Sequence, residues 1–197
     1  MAAGPLLVLV LLSNAPAAAP SVFDEDRFGV ELGGRAELGE TFWTVASNGP
    51  SFGIDLRLRF GPSLAVGVSL ESGSSSSPEM ENSWKLHRKQ VAVDVQWRFD
   101  SGPGIRPWIS LGMGFGQVEL EYTDGSFRSS AHAVDFARLS LGVDFLVGRF
   151  VALGPFLRGS LGHTRLQSAD DVTVSPPLDS SRSLDALQVG FRALVGF

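Results

Sequence analysis

The sequence predicts an all-β fold, an eight-stranded antiparallel up-and-down β-barrel, and three observations support this prediction. Apolar and polar residues alternate along eight segments, the connections alternate between short and long, and no segment after residue 20 shows helical periodicity. A chain of 197 residues with 44% hydrophobic residues and 23 Gly suits one folded domain. This composition excludes disordered and collagen-like chains, and the lack of Cys excludes disulfides and thiolate metal sites.

Residues 1–20 have the features of a secretory signal peptide. An apolar stretch is followed by the polar pair Ser13–Asn14 and then by small residues. Pro20 disfavours cleavage directly after Ala19, so we expect cleavage after Ala17 or Ala18, with residues 1–18 as signal peptide and 19–197 as the barrel domain. The apolar run at residues 6–12 is much shorter than the roughly 20 residues of a membrane-spanning helix.

The predicted strands alternate apolar and polar residues with a period of two. In residues 52–60, for example, Phe, Ile and Leu occupy one face, while Asp55, Arg57 and Arg59 lie on the other. The eight predicted strands cover residues 28–38, 52–60, 64–71, 91–99, 105–121, 133–147, 150–162 and 184–197.

The connections between these strands fall into two classes. Three are short and carry Gly, Pro or Asp, at residues 61–63, 100–104 and 148–149. The long polar connections are residues 39–50, 72–83, 123–131 and 163–183. Short turns at one end and long loops at the other are typical of a closed barrel whose tilted strands of about 9–11 residues cross a membrane. Ten strands, with an extra pair through residues 171–174, remain the alternative.

The polar face of the strands indicates which side of the barrel is inside. Small residues such as Gly112, Gly114 and Ser140 alternate with charged ones on this face, which suits a narrow lumen filled by side chains. Most of these charges have opposite partners, as burial requires. We therefore assign to the lumen, as a structural or gating network, Glu31, Arg35, Glu37, Asp55, Arg57, Arg59, Asp94, Arg98, Arg138, Asp144, Arg158 and Arg192.

Aromatic residues cluster near both ends of the predicted strands. Two such bands are typical of the interfacial girdles of a transmembrane β-barrel. The band at the short turns contains Phe28, Phe60, Trp97, Phe99, Phe145 and Phe197, and the band at the long loops contains Trp43, Trp84, Phe115 and Tyr122.

The last strand ends on Phe197, with Phe191 and Val195 on the same face. This ending resembles the C-terminal insertion signal of bacterial outer-membrane barrels, and the resemblance implies recognition by the barrel assembly machinery. Residues 106–114, RPWISLGMG, resemble the Pro-aromatic-x-x-x-Gly-x-Gly strand of the small OmpA-like and OmpX-like barrels, and residues 154–162 are a weaker copy. This second resemblance implies a membrane barrel of a Gram-negative bacterium, and because the sequence stops with the last strand we expect no OmpA-type periplasmic domain. Pro155 lacks a backbone donor, so we expect a bulge or local break there.

The sequence offers little chemistry. The histidines at positions 87, 132 and 163 match no metal-ligand or catalytic-triad spacing, and the pair Asp170–Asp171 is typical of a solvated loop. No catalytic, metal or cofactor-binding residue is predicted. The net charge of −5 argues against a nucleic-acid partner.

The predicted function is that of a non-enzymatic outer-membrane β-barrel protein serving envelope integrity, surface adhesion through long extracellular loops, or at most narrow solute passage. Expected partners are outer-membrane lipid, lipopolysaccharide, the assembly machinery and an extracellular partner of the loops. One alternative is a lipid-modifying enzyme at the outer rim, using His163–Thr164 or residues 129–132. The other is a secreted, soluble calycin-like barrel with the apolar face inside.

Overall fold

The computed structural model describes residues 28–41, 49–77, 84–99, 101, 104–122, 128–169 and 182–196. These residues form a closed barrel in which each strand pairs antiparallel with the next and the last pairs with the first, so the predicted fold is confirmed. The strands are β1 (Phe28–Thr41), β2 (Gly49–Phe60), β3 (Leu64–Ser77), β4 (Trp84–Arg98), β5 (Ile105–Tyr122), β6 (Arg128–Val147), β7 (Val151–Ala169) and β8 (Arg182–Gly196).

Tight turns close one end of the barrel, which we call the short-turn end. Gly61, Gly104 and Gly148 have φ angles of 72°, 84° and 78° in the connections at this end. Only glycine adopts this left-handed conformation without steric cost, so these three positions explain why the chain reverses so abruptly. The opposite end, from which the longer connections leave, is the long-connection end. No helix among the described residues is long and apolar enough to cross a bilayer.

Several strands extend further toward the long-connection end than predicted. β3 continues to Ser77, so half of the predicted loop at residues 72–83 is strand, and β4 begins at Trp84 instead of Val91. β6 likewise begins at Arg128, and β7 continues to Ala169. The extensions lie outside the apolar layer of the wall, so their side chains show no apolar alternation. They are strands because their backbone groups pair with the neighbouring strands. The expectation for residues 171–174 lies outside the described residues, but the eight described strands already close the barrel.

A β-bulge interrupts the alternation in β6. The side chains of Asp135 and Arg138 both turn into the barrel, although three positions separate them. The register with β5 and β7 shifts at Phe136–Ala137, where the extra residue is accommodated. Strict alternation backwards from Arg138 would place Asp135 on the outer face, but the bulge reverses the faces beyond it and turns Asp135 inward.

Pro155 causes a local break without a bulge. Between β6 and β7, Gly142 pairs with Phe156 and Phe145 pairs with Leu153, while the two residues between them on each strand are unpaired. The register is unchanged across this gap because both strands skip the same number of residues. On its other side, Pro155 stays in register with Phe191 of β8. The missing donor of proline therefore opens the ladder on one side only.

The two faces of the sheet differ as the sequence predicts. Apolar side chains such as Phe52, Ile54 and Met113 are more than 60% exposed on the outer face, whereas twelve charged side chains of the described strands are buried inside. The outward aromatics at the short-turn end include Phe28, Phe60, Trp97, Phe99 and Phe145. The predicted positions Trp43 and Phe197 lie outside the described residues. A soluble barrel requires an apolar interior, so the charged interior contradicts the calycin-like alternative.

The close approach of β6 and β7 near Pro155 makes Gly154 sensitive to substitution. A Cβ atom at Gly154 lies 1.8 Å from the backbone oxygen of Val143, so Gly154→Ala forces the strands apart. We expect a loss of about 1–3 kcal/mol from such overpacking, and a lower temperature for unfolding in SDS. Gly159→Ala on the same strand is the control, because nothing lies within 4 Å of its Cβ position. Equal thermal stability of both variants would contradict this account.

Candidate functional site

The candidate site is the charged interior of the barrel. All of the side chains predicted to line the lumen turn inward: Glu31, Arg35, Glu37, Asp55, Arg57, Arg59, Asp94, Arg98, Arg138, Asp144, Arg158 and Arg192. The most exposed of them is Asp94, whose side chain is 16% exposed. Because the barrel wall is one strand thick, alternation delivers these predicted charges, which come from six of the eight strands, into one shared space.

Glu71 joins three arginines near the middle of this network. It lies on β3, and Arg35 of β1 and Arg138 of β6 each donate a short hydrogen bond to its Oε1. Arg158 of β7 approaches the same oxygen from the far wall, with Nη1 at 3.4 Å. One carboxylate therefore links four strands across the lumen.

A second group of contacts surrounds Glu71. Arg158 Nη1 donates to Glu37 Oε1 at 2.8 Å, and its Nε donates to Ser140 Oγ at 3.0 Å. Arg35 Nη1 donates to Asp55 Oδ1 at 2.6 Å. Arg35 and Arg158 each contact more than one acceptor, because a planar guanidinium carries five N–H donors that can bind several oxygens at once.

Bidentate pairs fill the lumen toward the short-turn end. Arg98 binds both carboxylate oxygens of Glu31, with Nη1 at 2.5 Å from Oε1. Arg192 binds both oxygens of Asp144, with its Nε at 2.9 Å and its Nη2 at 2.6 Å. The Arg192 guanidinium also lies 3.6 Å from the ring centroid of Trp108, whose Nε1 donates to Asp144 at 3.2 Å. These geometries are the strongest that charged side chains form.

Apolar side chains occupy the remaining space at this end. Leu194 and Ala152 are almost completely buried, and Leu146 packs against them. Farther along the lumen, the rings of Trp108 and Phe156 lie 6.2 Å apart. The interior therefore combines an apolar layer near the turns with ion pairs above it, and side chains occupy both layers.

The structure adds residues that the sequence analysis missed. Glu71 continues the inward series of β3 and could have been found by alternation alone. Asp135 accepts hydrogen bonds from Arg88 Nη2 at 2.6 Å and Gln90 Nε2 at 2.7 Å, and only the bulge in β6 brings it inside. The predicted set contained more arginines than acids. Glu71 and Asp135 supply acidic partners for this excess, since Arg138 lies within 4 Å of both.

The histidines are located on the outside of the barrel. His87, His132 and His163 are exposed on β4, β6 and β7, and the ring of His132 stacks on Phe115 at 5.8 Å. Within the described part of the chain, no group of three His, Asp or Glu residues has the arrangement of a metal site. The predicted pair Asp170–Asp171 lies outside the described residues. The side chains of Thr164 and Ser129, which belong to the enzyme alternative, also lie outside the description. The described geometry brings no histidine into the lumen network.

A closed barrel with an apolar outer surface and a charged, filled interior is a transmembrane β-barrel. Residues 5–193 match the family described as outer membrane protein beta-barrel domain. The chain belongs to this family and is an outer-membrane protein of the Gram-negative type.

Solved structures of small outer-membrane barrels share the fold. Neisserial surface protein A is 12% identical with a TM-score of 0.54, and the match covers 86% of this chain and 97% of that one. Ail, the attachment invasion locus protein of Yersinia pestis, is 13% identical with a TM-score of 0.53, covering 88% and 99%. OprG of Pseudomonas aeruginosa is 9% identical with a TM-score of 0.52, covering 90% and 99%. No curated protein sequence matches the chain significantly.

Removing the carboxylate of Glu71 tests the network. Glu71→Gln leaves Arg35, Arg138 and Arg158 without their shared anion, and we expect the free energy of unfolding to fall by about 3–5 kcal/mol. The measurement is a urea titration of the refolded protein in lipid vesicles. Glu121→Gln, on the outer face near the long-connection end, is the control and should change stability by less than about 1 kcal/mol. Equal losses in the two variants would show that Glu71 has no special role.

Proposed function

We propose that this protein is a non-enzymatic outer-membrane barrel that supports envelope integrity and presents its long connections for surface interactions. The observation that carries the proposal is the set of ion pairs meeting at Glu71, which spans the lumen from β3 to Arg158 of β7. A lumen filled in this way leaves the outer wall and the connections as the surfaces available to partners. The connections leave from the end that faces the outside of the cell in barrels of this kind.

The lumen is also the reason to propose at most narrow solute passage. An eight-stranded barrel has just enough interior space for side chains, and here large residues such as Arg158, Trp108 and Phe156 occupy it. Moving a buried arginine away from its carboxylate leaves an uncompensated charge, which is costly. We therefore infer that the network holds the lumen closed, and that the predicted lumen charges have this structural role.

Two of the structural neighbours have names that refer to the cell surface or to attachment, namely Neisserial surface protein A and the attachment invasion locus protein. At 12–13% identity the similarity concerns the fold. The names are consistent with a surface-interaction role for the present protein. This role is tested by comparing the adhesion of cells that display the native chain with the adhesion of cells that display the chain with its connecting segments replaced by Gly-Ser linkers.

The closed lumen predicts low conductance in planar lipid bilayers. We expect the native protein to give far smaller currents than a porin, because no continuous water column of porin width passes the ion pairs. Arg158→Ser removes a side chain that crosses the lumen and should increase the current severalfold, whereas Lys85→Ser on the outer face should leave it unchanged. Porin-sized currents from the native protein would contradict the proposal.

We further propose that residues 1–18 direct export and that Phe191, Val195 and Phe197 form the signal for membrane insertion. Phe191 and Val195 are exposed on the outer face of β8, where an assembly factor can contact them. The position of Phe197 follows from the sequence alone. The assembly machinery and an extracellular partner of the connections are partners in this proposal.

A substitution at Phe197 tests whether this residue acts in membrane insertion in cells or in the stability of the folded barrel. Phe197→Ser should lower the amount of folded protein in the outer membrane of cells severalfold, yet the purified variant should refold in detergent as well as the native protein. Phe150→Ser, an exposed aromatic residue at the short-turn end, is the control and should insert normally in cells. Heat-dependent gel mobility of membrane fractions measures the folded amount. Normal insertion of Phe197→Ser would refute the proposed signal.

A further inference from the structure

The outer wall of the barrel carries a groove near the middle of the strands, where outward apolar residues give way to polar ones. This recess of about 430 Å³ runs across β3, β4 and β5 to the edge of β6. One wall consists of Leu70, Val91 and Phe115, which are about half exposed and apolar. The other wall consists of Lys89, Gln117 and His132. We call the recess the outer groove and refer to these rows as its apolar wall and its polar wall.

The floor of the outer groove is backbone. Glu71, Gln90 and Gly116 lie between the two walls in sequence, and strand alternation turns them toward the lumen. Their inward orientation leaves a channel between two rows of outward side chains. The stacked rings of Phe115 and His132 connect the walls at one end.

The position of the groove places it at the boundary of the membrane. Outward residues of β4 are apolar from Phe99 to Val91, a span of nine residues, and Lys89 is the next outward residue. About 9–11 tilted residues cross the apolar layer of a bilayer. The apolar wall therefore lies at the level of acyl chains, and the polar wall lies at the level of headgroups on the side of the long connections.

Lys89 is exposed on the outer face beside the groove. Its register partners on the neighbouring strands are Ser72 and Gln117, which are both uncharged. The other lysine of the chain, Lys85, is in register with Glu121 on β5. Of the two lysines, then, only Lys89 has uncharged register partners on both strands, and it is the one that borders the groove. Its nearest outward carboxylate in the sheet is Glu119, the diagonal neighbour beyond Gln117 on β5.

We propose that the outer groove binds a phosphorylated lipid of the outer leaflet, of the lipid A type. The acyl chain would lie on Leu70, Val91 and Phe115, and a headgroup phosphate would bind Lys89, with Gln117 and His132 as additional donors. Lysine binds phosphate as a compact charge at the end of a flexible stem, which suits a ligand that moves within the membrane plane. The inference concerns the outer wall and does not depend on whether the lumen conducts.

The variant Gln117→Glu provides a sharp test, because it gives Lys89 the same kind of partner that Lys85 already has. A second variant, Lys89→Gln, removes the charge itself. Lys85→Gln is the matched control on the same strand. The folded state of each variant is checked by heat-dependent gel mobility before binding is measured.

Binding is measured by titrating refolded protein in detergent micelles with lipid A, with chemically dephosphorylated lipid A, and with inorganic phosphate. Native protein should bind lipid A, bind the dephosphorylated lipid at least fivefold more weakly, and show no competition from millimolar phosphate. One lysine at a membrane surface contributes about fivefold, so Lys89→Gln and Gln117→Glu should each weaken lipid A binding by at least that factor. Lys85→Gln should bind like the native protein.

Three outcomes would overturn the proposal. Equal affinity for the two lipids would show that the phosphate is not recognised. Equal weakening by Lys85→Gln and Lys89→Gln would assign binding to the general charge of the rim. Full competition by inorganic phosphate would identify a free anion as the ligand of the groove.

Discussion

The structure depends on the need to pair every charge that is buried in a narrow lumen. Seven arginines are almost completely buried inside this barrel, and unpaired burial of even one would cost more than a typical domain can offset. Pairs between distant strands, such as Glu71 with Arg138 and Arg158, meet that need and fix the strands relative to one another. The closed lumen and the proposed reliance on outer surfaces for function both follow from this constraint.

The same constraint explains why the buried cations are arginines and the two lysines lie on the outer face. Seven arginines occupy the interior, where planar guanidinium groups bind two acceptors at once, as Arg98 and Arg192 do. Lys85 and Lys89 lie outside, at the level where a flexible ammonium group can reach headgroups. The chemistry of these nine cations thus matches the side of the wall on which they are found: the filled lumen holds guanidinium groups, and the outer groove is bordered by an ammonium group.

Much of the fold was predictable because a β-strand encodes its two faces locally. Residues 52–60 alternate without exception, and the structure turns Asp55, Arg57 and Arg59 inward as predicted. The pattern failed at Asp135, since a bulge of one residue changes the face of everything beyond it and leaves no clear sign in composition. The ends of β3 and β6 were also underestimated, because the extensions are polar and pair through backbone groups alone.

The sequence by itself determined the two faces of each strand and the positions of the tight turns, because alternation and turn residues are local properties of the chain. It favoured eight strands with the charged face inside, and closure of the barrel decided both points. Only the tertiary structure decided which charges pair. Arg138 and Arg158 are 67 and 87 residues from Glu71, and no spacing rule links positions so far apart. Their contact results from closure of β8 onto β1, which sets the register around the barrel and brings opposite walls within reach of one carboxylate.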